Sequence, residues 1–161
     1  MIRRALPTDV DTIAAFHALA RATYYEGRIP ESEYATPEIH ERVKESWHRA
    51  VARADGGVLC AEDGGRPVAV AAFREVEGTM TLTQFHVDPG NWSRGIGSAL
   101  HSGVVDAWRQ AGVGSAYLEV YEHNLRAQRF YARHGWAVEG EAERAADYDH
   151  VSMVLTVPSG E

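Results

Sequence analysis

The residues Val87-Asp88-Pro89, followed by Trp92-Ser93-Arg94-Gly95-Ile96-Gly97-Ser98-Ala99-Leu100, put two glycines, a hydroxyl and a guanidinium where a strand passes into a helix. The amide N–H groups of a helix's first turn have no internal partners, and the macrodipole adds partial positive charge there, so the natural ligand is an anion. Gly95 and Gly97 allow backbone conformations and a close approach that a Cβ would obstruct, while Arg94 and Ser98 add side-chain donors. An ordinary helix start with turn glycines is the plain alternative. A nicotinamide-binding turn fits poorly, because its third glycine position is occupied by Leu100 and no initial βαβ unit surrounds it. The Lys-Ser or Lys-Thr pair of a nucleoside-triphosphate loop is missing as well.

A second stretch, Leu118-Glu119-Val120-Tyr121-Glu122-His123-Asn124-Leu125-Arg126-Ala127-Gln128-Arg129-Phe130-Tyr131-Ala132-Arg133-His134-Gly135-Trp136, also runs from strand to helix. Asn124 stands where an Asn side chain caps a helix, and Phe130 and Tyr131 suit a core.

Around these two stretches the element pattern is legible. Ile2 to Ala5 reads as extended. Pro7 and Thr8 then open a helix, with Asp11 completing a capping box and Ile13, Phe16, Ala20 and Thr23 on one face. An irregular link with Gly27 and Pro30 leads to a second helix over about Pro37 to Ala54. Val58 to Glu62, Arg66 to Glu75 and Thr79 to Val87 read as a strand meander, turned at Asp63-Gly64-Gly65 and Glu77-Gly78. The third helix starts near Gly95 and ends at Gly112, with Ile96, Ala99, Leu100, Val104, Ala107, Trp108 and Ala111 on one face. Ser115 to Tyr121 reads as a strand, Leu125 to His134 as a helix, and Trp136 to Glu143 and Val151 to Val157 as closing strands. The strand-helix-strand crossover over residues 79 to 121 predicts one right-handed parallel pair in an otherwise mainly antiparallel sheet, hence a mixed α/β domain.

Together the two stretches resemble the GNAT superfamily of acyl-CoA-dependent N-acetyltransferases, whose pattern V-x-P…x-x-G-x-G-x-x-L precedes L-x-V-x-x-x-N-x-x-A-x-x-F-Y-x-x-x-G-F/W. The match is specific over Phe85 to Trp136, and the opening Ile2-Arg3-Arg4-Ala5 with Pro7-Thr8-Asp9 is similar to the usual start. The resemblance implies a single acetyltransferase domain over residues 1–161: a mixed sheet flanked by helices, with the parallel pair at a cofactor cleft. It implies acetyl-CoA as co-substrate and transfer to a primary amine of a small molecule or peptide. A non-catalytic acyl-CoA-binding regulatory module is the second reading. The resemblance further implies that Arg94, Gly95, Ile96, Gly97, Ser98 and Ala99 receive the pyrophosphate and that the backbone of Phe85, His86 and Val87 pairs with the pantetheine arm. Asn124 and Ala127 then contact the cofactor, and Tyr131 lies near its sulfur as the acid that protonates the departing thiolate. Trp92 stands where many members carry Gln or Arg, so no side-chain phosphate contact is expected from it.

An amine with a pKa near 10.4 is neutral only about once in 2,500 molecules at pH 7, so a base, a water relay or desolvation must help. Glu119, His86 and Gln84 through a bound water are the candidates for that base, each also readable as an ordinary strand residue. Tyr24, Tyr25, Ile29 and Tyr34, in the link after the first helix, are equally readable as an acceptor pocket or as packing groups.

Composition agrees with one globular domain. The chain has 161 residues with a formal net charge of −7, which argues against nucleic acid as a partner and suits a cationic amine. The longest apolar run, Val68 to Phe73, is far short of the roughly 20 residues of a membrane span. The polar residues after Arg3 and Arg4 leave no secretory h-region, so a cytoplasmic location is expected. No His/Cys spacing suggests a metal. The single cysteine, Cys60, reads as a buried structural thiol. A second copy of the chain is a further candidate partner.

Overall fold

The computed structural model describes residues 1–139 and 150–159. Their elements follow the expected order: β1 (Ile2–Arg4), α1 (Val10–Tyr25), α2 (Pro37–Ala52), β2 (Gly56–Asp63), β3 (Arg66–Val76), β4 (Thr79–Val87), α3 (Ile96–Gln110), β5 (Ser115–Tyr121), α4 (Leu125–Arg133), β6 (Ala137–Val138) and β7 (His150–Thr156). The strands form one mixed sheet in the order β1-β2-β3-β4-β5-β7-β6, flanked by the four helices. Only β4 and β5 run parallel, with Thr81 opposite Tyr117. Of the strand expected over 136–143, β6 takes only Ala137–Val138, Trp136 and Glu139 lie outside it, and residues 140–143 lie outside the described residues.

The chain packs as two compact units, Met1–Phe73 with Gln84–Val104, and Arg74–Thr83 with Val105–Glu161. In the first, Val10, Ile13 and Phe16 of α1, Trp47 of α2, and Val58, Cys60, Val70 and Ala72 of the sheet make the core. The run Val68–Ala72 is buried throughout, as expected of a strand covered on both faces. The turn at Gly64 and Gly65 has φ of 60° and 84°, the double left-handed conformation that glycine allows and a two-residue hairpin requires. In the second unit, β5 turns Ala116, Leu118 and Val120 inward, and pairs along its length with β7.

Three expectations need correction. The capping box lies two residues earlier than Thr8 and Asp11, at Leu6 and Asp9. The Asp9 carboxylate accepts from the Leu6 backbone N–H at 2.7 Å and pairs with Arg3, so a short 3-10 turn precedes α1. Asp11 instead faces Lys44 at 3.1 Å. Thr23, Ala99 and Ala111 are exposed, because the buried stripe of α1 runs through His17 and that of α3 through Leu100, Val104 and Trp108. The second helix ends at Ala52, where Arg53 turns extended and pairs with Asp55 at 2.9 Å.

Candidate active site

In the first unit, β4 hands the chain to α3 through a tightly bonded turn. The Asp88 backbone N–H donates to the Val68 carbonyl at 2.8 Å, and the Asp88 side chain accepts from the Gly90 N–H at 3.2 Å. The Trp92 indole Nε1–H donates to the Val87 carbonyl at 3.1 Å, which ties the turn to the end of β4. This is what an aromatic contributes at a position where no side-chain phosphate contact was expected. Arg94 is held by Asn91 Oδ1 at 2.7 Å and faces Asp63 at 3.7 Å.

Gly95 then takes φ +77°, and its carbonyl accepts from the Ala99 N–H at 3.1 Å, which starts α3. That left-handed value suits a residue without a Cβ. Gly95, Ser98 and Ala99 are exposed and Ile96 and Gly97 half-buried, so the helix opens toward solvent. The first-turn amides of such a helix have no intrahelical acceptor and suit an anion.

His86, also in this unit, is half-buried with its ring stacked on His17 of α1, centroids 3.9 Å apart. His86 Nε2 lies 2.6 Å from Gln84 Oε1, so it carries the proton and donates. His17 is buried, and its Nδ1 accepts from the Trp47 indole N–H at 3.0 Å. Burial, helped by the Arg21 cation, pushes His86 down to about 3, and burial with the charges of His86 and Arg21 pushes His17 lower still. Both rings are therefore neutral near pH 7.

Neither His17 nor Trp47 was singled out from the sequence as a site residue. The available signal was a His at helical spacing between Ile13 and Ala20 on an apolar stripe. Unfolded, the two histidines take up protons near pH 6.5; folded, they resist doing so. Stability is thus fully present above pH 6.5 and is lost as pH falls from there toward 3, by about 1.4 kcal/mol per pH unit for each ring where the unfolded form is protonated. Denaturant unfolding of the wild type between pH 7 and 5 should show this slope. His17→Phe should show a shallower one, and equal slopes would reject the assignment.

On the same helix, Tyr24 and Tyr25 meet edge to face at 4.8 Å, and Tyr25 lies 5.4 Å from buried Tyr34. Ile29 joins the turn through its N–H, which donates to the Tyr25 carbonyl at 3.0 Å. The four residues named for an acceptor pocket therefore share the region around the end of α1.

In the second unit, Asn124 caps α4: its Oδ1 accepts from the Ala127 N–H at 3.2 Å. The cap reading of Asn124 is correct, and it leaves the side-chain NH₂ as the group able to meet a ligand. Gln128, which the sequence reading passed over, donates to the Glu122 carbonyl at 2.8 Å and the Tyr121 carbonyl at 3.3 Å, pinning the loop between β5 and α4. Tyr131 is buried, with its ring 5.6 Å from Phe130 and 6.0 Å from Trp136. On β5 the Tyr117 hydroxyl donates to Glu119 Oε1 at 2.9 Å and lies 2.8 Å from Ser152 Oγ. Burial pushes the Tyr117 phenol up, which keeps it protonated as the donor that orients the Glu119 carboxylate.

Among the described residues no cluster of three His, Cys, Asp or Glu side chains is arranged to hold a metal ion, and no helix is long and apolar enough to cross a membrane.

The sequence profile of the Acetyltransferase (GNAT) family matches residues 14–136. Curated protein sequences give no match. Among solved structures, the PaiA N-acetyltransferase of Thermoplasma acidophilum in complex with coenzyme A is 19% identical, with a TM-score of 0.86 over 97% of this chain and 98% of its own. The ribosomal-protein-S18-alanine N-acetyltransferase of Escherichia coli is 19% identical, with a TM-score of 0.70 over 100% and 96%. A GNAT-family acetyltransferase of Staphylococcus aureus is 14% identical, with a TM-score of 0.78 over 98% and 99%.

Proposed function

The chain belongs to the GNAT acetyltransferase family, and from that premise we propose that it transfers the acetyl group of acetyl-CoA to a primary amine of a small molecule or peptide. The observation that carries the reading is the solvent-open first turn of α3 behind the left-handed Gly95, a fit for a pyrophosphate. The coenzyme A held by the Thermoplasma protein supports the choice of ligand. In this reading Arg94 through Ala99 receive the pyrophosphate, the Phe85–Val87 backbone pairs with the pantetheine arm, and Asn124 and Ala127 contact the cofactor. Residues 1–161 are assigned to one reaction as a single acetyltransferase domain, with Tyr24, Tyr25, Ile29 and Tyr34 on the acceptor side.

Of the three candidate bases, Glu119 is favoured. It is a carboxylate on the exposed side of β5, oriented by Tyr117 and able to attract a cationic amine. His86, pushed down to about 3, is a weak base near pH 7, and its Nε2–H is engaged by Gln84. Tyr131 is the acid for the departing thiolate.

The test is thiol release from acetyl-CoA across a broad panel of primary amines. Amine-dependent release well above the amine-free rate is expected. Tight acetyl-CoA binding with no release for any amine would favour a regulatory acyl-CoA-binding module instead.

A further inference from the structure

Arg21, on α1 between His17 and Tyr24, has a role that the acetyltransferase reading leaves open. Its Nη2 donates to the Tyr34 backbone carbonyl at 2.7 Å, which fixes the direction of the side chain. Its Nε–H is buried with no acceptor among the described residues, and no carboxylate there pairs with the guanidinium. An unsatisfied buried donor is costly, more so on a cation, and proteins seldom keep one without a use. Among the described residues, His17, His86 and Tyr24 feel this cation and none of the three neutralises it, since both histidines are held neutral and burial keeps the Tyr24 phenol protonated. A guanidinium with no ion-pair partner among the described residues is a specific feature of this place in a protein of net charge −7.

We propose that Arg21 binds a carboxylate of the acceptor, so that the substrate class is an amine that also bears a carboxylate, as in an amino acid or an acidic peptide. The inference rests on the acetyltransferase reading and narrows it. A planar guanidinium already anchored on one side meets a carboxylate through two parallel N–H···O bonds, which gives direction as well as charge. The rings of Tyr24, Tyr25 and Tyr34 beside it then supply apolar walls for the rest of the acceptor.

The experiment compares matched acceptors, each free amino acid with its own amide, and short peptides with and without an acidic side chain, by thiol release from acetyl-CoA. The wild type should favour the carboxylate member of at least one pair by roughly 10- to 100-fold in kcat/KM, through KM. Arg21→Met should erase that preference while leaving the KM for acetyl-CoA unchanged, and Arg21→Lys should restore part of it. Because Arg21→Met removes a partly buried side chain, thermal unfolding accompanies the kinetics, and the wild-type pairs stand on their own if the variant does not fold. Calorimetric titration of the wild type with the N-acetylated amino acids and their amides adds an arm that needs no turnover. Amides used as well as or better than acids overturn the inference and leave the acetyltransferase reading intact. Thiol release with no amine at all overturns that reading, and the inference with it if the calorimetry also shows no preference for the acids.

Discussion

Replacing Tyr131 by Phe should lower turnover by roughly 10²–10⁴, the usual range for a positioned proton donor, while acetyl-CoA affinity should change much less. The substitution is a clean one here. Tyr131 is 7% exposed and its ring packs against Phe130 and Trp136, contacts that Phe preserves. A tyrosine that served the core alone would show a modest stability change and near-normal turnover. The departing thiolate resembles a free thiol of pKa near 8.5, so solvent protonation at neutral pH partly covers for the missing hydroxyl. That cover weakens as pH rises, and the ratio of wild-type to variant rates should widen between about pH 7 and 9. Single-turnover thiol release across that range measures it, and equal rates throughout would remove Tyr131 as the acid.

Gly97→Val should fold normally yet bind acetyl-CoA roughly 10- to 100-fold more weakly, the cost of spoiling a charge-assisted hydrogen bond. Gly97 is the second residue of α3 and is not among the left-handed glycines, so valine meets no backbone strain there and is the better helix former. Any lost affinity then reflects the new side chain against the bound phosphates. Gly95→Val is a different experiment, because φ +77° is strained for a β-branched residue and the start of the helix itself would suffer. Calorimetry on folded Gly97→Val decides the matter, and wild-type affinity would take this turn out of the site.

Much of this was legible in the sequence because it is local. β4 and β5 fall on the residues expected, since a strand bounded by turn glycines or by Asp-Pro announces both its ends. The Asn124 cap and the glycine-led start of α3 were readable for the same reason. What escaped depends on distant partners. The Asp9 carboxylate turned to Leu6 because Arg3 holds it there, which local spacing around Thr8 and Asp11 does not reveal. The pairing of His17 with Trp47 spans 30 residues, and its stack on His86 spans the distance from α1 to β4. Arg21 is the same case: its position in α1 is plain, but that its buried Nε–H has no acceptor among the described residues is visible only once the chain has folded around it.

Cys60 is fully buried in the first unit's core, and burial pushes its thiol up from the ordinary value. A thiol so placed is chemically silent: it yields little thiolate and offers no path to an electrophile. As the only cysteine, it leaves the folded protein without a reactive sulfur of its own. In an electrophile titration the colour that develops therefore belongs to liberated coenzyme A, and a slow second rise in colour would report the core opening.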